Sequence, residues 1–299
     1  MKERIANKFR EIVSGSPDGM PDWVKLIAHG EGPGLFGEGS AVWEVHGTVA
    51  TLVGGIRALL LQAAHPAALT GVSEHSRYES DPLGRLAGTS RWLTITTFGS
   101  EEAIAKEAAR VNAMHNHVKG EFAAKSGEIK GYRASDPRYL LWVHCAFTDS
   151  FLTAHQTFNY PITKGADAYV AEWSQSATGL GLVDAPQSVA ELKATMDEFL
   201  ANDLATSAAT ADVVKFIMKP PLGRAPLLFY RVLAKTAITT LTPAQQEILG
   251  LKPVNRAWRI ACAALLKLLA MALGKESPSQ RIARERIART SGESVSRDS

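Results

Sequence analysis

The sequence predicts an all-α fold, a single multi-helix domain that encloses a pocket between its apolar faces. Three observations carry that prediction. Apolar residues recur at three- and four-residue intervals along most of the 299 positions. Serine and Asp-Pro signals stand where those runs begin. No sustained apolar/polar alternation of the strand kind interrupts them.

The elements follow in order. Ile5, Phe9, Ile12 and Val13 line one face of a first helix. A glycine-rich stretch, HGEGPGLFGEGS, occupies residues 29–40, and apolar helix resumes over 49–64. Pro66 disfavours helical geometry at His65, so a turn is expected there. Asp81 and Pro82 form a helix start, an acidic cap with proline in the first turn. That helix should pass through Arg85 and Thr89 to residue 97. Ser100, with Glu101 and Glu102, opens another, expected to run to residue 124 with Gly120 near its end. Asp136–Pro137 repeats the Asp-Pro start ahead of RYLLWVHCAFTDSFLTAHQTF. Further helices fit 166–178, 188–204, 211–218, 225–238, 243–249, 256–273 and 279–289. The expected division is one domain over 1–290 and a disordered tail over 291–299.

Composition narrows the function. Hydrophobic residues make up 45% of the chain, enough for a substantial core, and the net charge of +3 gives no broad electrostatic footprint for nucleic acid. Cys145 and Cys262 lie inside apolar helical runs and read as small buried hydrophobes, and no CxxC pair suggests structural zinc. The first residues lack the unbroken apolar stretch of a secretory signal. The run WRIACAALLKLLAMAL at 258–273 is short for a membrane span and carries Arg259 and Lys267, so it reads as a buried or surface-docking helix. A cytoplasmic location with peripheral membrane contact is the expectation.

The motifs carry more. GPGLFG matches GxGxxG at Gly32, Gly34 and Gly37, but a dinucleotide fingerprint needs a strand before it and a helix directly after. Neither is expected, and a glycine-permitted loop explains it better. HExxH, the P-loop, GxSxG and Glu-x-x-His pairs are all absent, which removes the commonest zinc hydrolase, NTPase, serine hydrolase and di-iron readings.

His115 sits in VNAMHNHVKGEF, within a stripe formed by Val111, Met114, Val118 and Phe122, while His117 points away. An ordinary buried histidine bonded to a carbonyl fits that spacing. So does the neutral imidazole that binds haem iron. Arg85 and Thr89 are one turn apart and face the same way, a donor pair suited to a carboxylate such as a haem propionate, or simply a surface arginine beside a hydroxyl. His65 and His75 flank the turn between two helices, and Glu74 with His75 could supply an acid or base there or only bond the loop. His144, Thr148, Phe151 and His155 share a face of the Asp136 helix, with His144 and His155 too far apart to chelate one ion.

Taken together the motifs resemble the MpaB and latex-clearing-protein oxygenases. They read LFGEGSAVWEVHG, LLLQAAHPAALTGVSEHSRYESDPLGRLAGT, VNAMHNHVKG and YRASDPRYLLWVHCAFTDSF, in that order across residues 30–235. The resemblance implies an all-α fold, haem b, and dioxygen-dependent chemistry on a hydrophobic substrate, isoprenoid in known members. It makes His115 the proximal iron ligand and places Arg85 and Thr89 near the haem. There is one departure: the rubber-cleaving branch carries a lysine just before the threonine, and here that position is Gly88. A distal lysine ligand is thereby ruled out at this position. The branch's catalytic glutamate has two candidates, Glu74 and Glu79. Other readings share the sequence: a haem-binding or haem-sensing protein without turnover, a metal-free helical protein binding apolar ligands, and a non-haem site using His65, His75 and His144 with Asp149.

Overall fold

The computed structural model describes residues 16, 20–73, 82–274 and 276–292, with only the backbone of 71–73, 82–87 and 225. The expected first helix, Glu74, His75, Glu79 and the residues after 292 lie outside the described residues.

A 3-10 helix, Asp22–Ala28, leads through the glycine-rich loop into α1 (Ala41–His46), α2 (Thr51–Ala63) and α3 (Pro66–Ser73). Next come α4 (Pro82–Phe98) and α5 (Glu101–His117), a hairpin of β1 (Lys119–Ala123) and β2 (Ile129–Arg133), then α6 (Pro137–Phe158) and α7 (Ala166–Thr178). The rest is helical: α8 (Val189–Asn202), α9 (Ala208–Met218), α10 (Arg224–Thr239), α11 (Pro243–Ile248), α12 (Ala257–Leu273) and α13 (Pro278–Ser291).

Local chemistry accounts for most boundaries. Ser100 Oγ accepts the Ala103 N–H at 3.2 Å and starts α5. Asp136 Oδ1 accepts the Arg138 N–H at 2.8 Å and starts α6, with proline in the first turn as anticipated. Each cap satisfies a backbone donor that the helix leaves unpaired. The last helix runs through Ser291 and ends on Gly292 in the left-handed region, φ 73°.

One expectation fails. The helix begun at Ser100 stops at His117, not near 124, and the chain turns into the antiparallel β1–β2 hairpin. Gly120 pairs with Tyr132 and Phe122 with Lys130 across it. The stripe drawn through Met114, Val118 and Phe122 is consequently not one helical face. Met114 is exposed, while Val118 and Phe122 join Tyr132, Ala134 and Tyr139 in a small cluster on Ala67 of α3.

The core is organised on α2 packed against α6. Gly54 permits their approach: a Cβ there would lie 2.7 Å from Phe151 Cδ1. Beside it, buried Arg57 of α2 meets Asp149 at 2.6 Å and donates to Ser150 Oγ at 2.9 Å. Around this pair stand α1 and α7 on one side, α8 on α6, and α9 and α10 on α2, with α12 packed on α10.

The α4–α5 pair is held separately. Glu107 of α5, 1% exposed, receives Arg91 of α4 on one oxygen at 2.8 Å and Arg110 on the other at 2.6 Å. The glycine-rich loop covers the joint between these helices. A Cβ at Gly34, φ 79°, would fall 1.9 Å from the Gly99 carbonyl oxygen. The GxGxxG string thus serves close backbone contact. Arg286 of α13 clamps the arrangement, donating to the carbonyls of Ile27 (2.5 Å), Phe98 (2.9 Å) and Gly32 (3.1 Å).

Candidate functional site

Histidine pairing separates structural groups from candidates. His46 of α1 is buried and fully engaged: Nδ1 lies 2.9 Å from Thr97 Oγ1 and Nε2 2.9 Å from the Tyr169 hydroxyl. Burial, then the nearby His155, pushes its pKa down to about 3. It ties α1, α4 and α7 together. His155 is also engaged, donating from Nε2 to the Tyr160 carbonyl and accepting from Asn159 at Nδ1.

Three imidazoles depart from that pattern. His115 Nδ1, His144 Nε2 and His65 Nε2 are sealed from solvent with no hydrogen-bond partner. Natural proteins rarely leave such groups unpaired, so each needs an account. Burial lowers all three pKa values, to about 4 for His144 and His65. At neutral pH the rings are therefore uncharged.

His65 has a structural account. Its Nδ1 accepts the Ala67 N–H at 3.1 Å at the start of α3, which puts the proton on Nε2. That N–H sits in a cage of Phe122, Tyr139, Trp142 and Phe199 rings, at centroid distances of 5.5–6.5 Å. Ring faces are weak acceptors, and the cage explains its burial without a ligand.

His115 is different. It lies in the last turn of α5, half-buried, with no aromatic ring against it among the described residues. Its neighbour His117 is exposed, as the spacing predicts. Arg85 and Thr89 lie on α4, the helix that Arg91 ties to α5 through Glu107. Arg85 is six residues from that anchor on α4 and His115 eight residues on α5, roughly 9 and 12 Å along antiparallel axes. Arg85 and His115 thus stand at one end of the helix pair, with Thr89 between Arg85 and the anchor.

Thr89 is half-buried, and a Cβ at Gly88 would meet nothing within 4 Å. Further along α4, the buried Thr96 hydroxyl has no partner. The side chain of Arg85 is not among the described atoms. His144, on α6, enters the sequence reading as a ligand only of the alternative non-haem site; its Nε2 is sealed and unpartnered, and no described residue accounts for it. No sequence signal distinguishes it from the satisfied His155 eleven residues later.

Other ligand chemistries find less support. Both cysteines are buried, and burial pushes the Cys145 thiol up to about 12 and the Cys262 thiol to about 11, away from the thiolate. No three His, Cys, Asp or Glu side chains converge among the described residues, and Asp149 is committed to Arg57. The described residues offer two neutral imidazoles with a sealed, unpartnered nitrogen and no structural account, His115 on α5 and His144 on α6, with the Thr89 hydroxyl and Gly88 on α4.

That arrangement defines a class, a helical domain that withholds neutral imidazoles from its own hydrogen-bond network. The family is narrower. Residues 43–273 match the family model described as "ER-bound oxygenase mpaB/B'/Rubber oxygenase, catalytic domain", and the chain belongs to that family of oxygenase catalytic domains. No curated protein and no solved structure matches it. Among the described residues no single helix is long and apolar enough to cross a membrane.

Proposed function

We propose that the protein is a haem b-dependent oxygenase that acts with dioxygen on a hydrophobic, isoprenoid or lipid-like small molecule. The observation that carries this reading is His115: a neutral imidazole at the open end of the α4–α5 pair, with a buried nitrogen that no protein group satisfies. A neutral imidazole is the usual proximal ligand of haem iron, and membership of an oxygenase family supports the choice of chemistry. The residues fit the group. His115 would hold the iron, and Arg85 and Thr89 would anchor a propionate. Haem, when bound, supplies the redox and dioxygen chemistry.

The chain's own residues shape the rest. Burial keeps His115 unprotonated, so its lone pair is available at neutral pH. Arg85 remains cationic and would balance propionate charge or charge developing on the substrate side, and Thr89 can donate its hydroxyl hydrogen there. Glu74 and His75 are the proposed acid–base pair. In this proposal His65, held in its aromatic cage, would stand behind the haem site and support it from α3.

Gly88 sharpens the substrate class. With no side chain at this position, the protein lacks the lysine found there in the rubber-cleaving branch, and the reading favours a small apolar substrate over polyisoprene. A haem-binding protein without turnover uses the same site.

The test is reconstitution with haemin. Wild-type and His117→Ala protein should gain a Soret band, and His115→Ala should not. A wild-type protein that takes up no haem sinks the reading. Product analysis after incubating the reduced holoprotein with dioxygen and unsaturated lipids then separates an oxygenase from a sensor, since a sensor leaves the lipids unchanged.

A further inference from the structure

The surface built by α9, α10 and α12 departs from the rest of the molecule in two ways. The first is charge. Residues 208–273 hold nine Lys or Arg against two Asp or Glu, Asp212 and Glu247, in a chain whose net charge is only +3, so the remainder is net acidic. Among the described residues every cation–carboxylate pair lies outside this segment, as in Arg91–Glu107, Arg138–Glu198 and Lys193–Asp197. Lys215, Lys219, Arg231, Lys235, Arg256 and Lys267 have no carboxylate partner among them.

The second difference is uncovered apolar surface. On α12, Ile260, Leu268 and Met271 are 76, 61 and 60% exposed, while Cys262, Leu266 and Leu269 on the opposite stripe are buried. Leu228 of α10 is 66% exposed. Ile260, Ala264, Lys267 and Met271 follow three- and four-residue spacing, so the exposed residues form one face with a lysine set in it. The helix is pinned at its start, where Arg259 donates to Thr239 Oγ1 and Thr236 to the Trp258 carbonyl, so this face is held outward. At 17 residues α12 is about 26 Å long, short of a bilayer's hydrocarbon core. Beside Leu228 lies a cleft of 340 Å³ with Met218 and Leu227 as apolar lining and Lys219, Arg231 and Lys235 as cations.

We propose that this face docks on an anionic lipid bilayer. Ile260, Leu268, Met271 and Leu228 enter the interface, Lys267 reaches from among them to the headgroups, and Lys219, Arg231 and Lys235 gather a lipid phosphate in the cleft. An apolar stripe flanked by unpaired cations is the pattern of helices that lie in a membrane surface. Charge selects this occupant over a second copy of the chain, because a two-fold contact through the face would set its cations against one another. The inference is independent of the haem reading.

The test is co-sedimentation of the full chain with vesicles of phosphatidylcholine alone and of phosphatidylcholine mixed with phosphatidylglycerol. Binding is expected to the mixed vesicles, with release at high salt. Lys219→Gln, Arg231→Gln and Lys235→Gln should each weaken it roughly fivefold. The triple variant Ile260→Ser, Leu268→Ser, Met271→Ser should lose at least about tenfold while keeping the wild-type circular dichroism and melting curve, since all three positions are exposed. Failure of the folded wild type to bind anionic vesicles overturns the proposal. So does binding that neither set of variants alters, or a dimer in light scattering that the serine variant dissociates.

Discussion

The α2–α6 contact and the α4–α5 pair are both two-helix units, built on opposite plans. In the first, Gly54 removes a side chain so that Phe151 can press against the backbone, and Arg57 is spent on Asp149 and Ser150. In the second, the helices are tied by one ionic cluster at Glu107, and residues 88–94 of α4 stay half-buried. Close packing leaves no room for a ligand. Under the proposed function the first unit is a frame and the second a holder, tied at Glu107, with the end that carries Arg85, Thr89 and His115 left for the haem.

Acidification should strike the frame hardest. His65 and His144 are held neutral, so between the unfolded value of 6.5 and about 4 the unfolded chain binds more protons than the folded one. Stability therefore falls as pH drops through that window, by on the order of 3 kcal/mol per histidine. Urea titrations at pH 7.5, 5.5 and 4.5 measure it, and flat midpoints would contradict the burial argument. Asp149→Ala, which strips the buried Arg57 of its counter-charge, should cost about 3–5 kcal/mol. Glu107→Ala should cost about 3 kcal/mol, at the lower end because Arg91 and Arg110 are partly solvated. It should also weaken haemin uptake, since the holder is anchored there.

Gly54→Ala should cost about 1–3 kcal/mol through overpacking against Phe151, with haemin binding unchanged. The smallest stability effect belongs to His115→Ala, under about 1 kcal/mol, because no hydrogen bond is lost, together with complete loss of the Soret band. A loss of 3 kcal/mol there would mean that His115 belongs to the frame, and the contrast between the two units would collapse.

Legibility in the sequence tracked the range of the interactions. Ser100 and Asp136 announce their helices because a cap is local chemistry between residues two or three apart. The β1–β2 hairpin escaped because its strands are five residues each and its burial alternation rests on Phe122 and Tyr132, which pack on Ala67 and Tyr139 from elsewhere in the chain. Ser126–Gly127 between KGEFA and EIKGYR was the available signal, with Gly127 at φ 86°. The exposure of His117 could be read from spacing, but the stripe used to place His115 could not survive the turn into the hairpin after His117. The cage around His65 could not be read either, since its four rings come from β1, α6 and α8. The Glu107 cluster was hidden for the same reason: a glutamate among Lys106, Ala108 and Arg110 looks solvated until Arg91 arrives from the preceding helix.

Arg286 has a bearing on how far the working unit extends. Its guanidinium closes over carbonyls from the 3-10 helix, the glycine loop and the last residue of α4, yet it lies beyond residue 273, where the family match stops, and Ile27 lies before residue 43, where it starts. A fragment trimmed to the matched segment would therefore free the rear of the α4–α5 hinge, and nothing from behind would then fix the separation of the two helices at the end that carries His115.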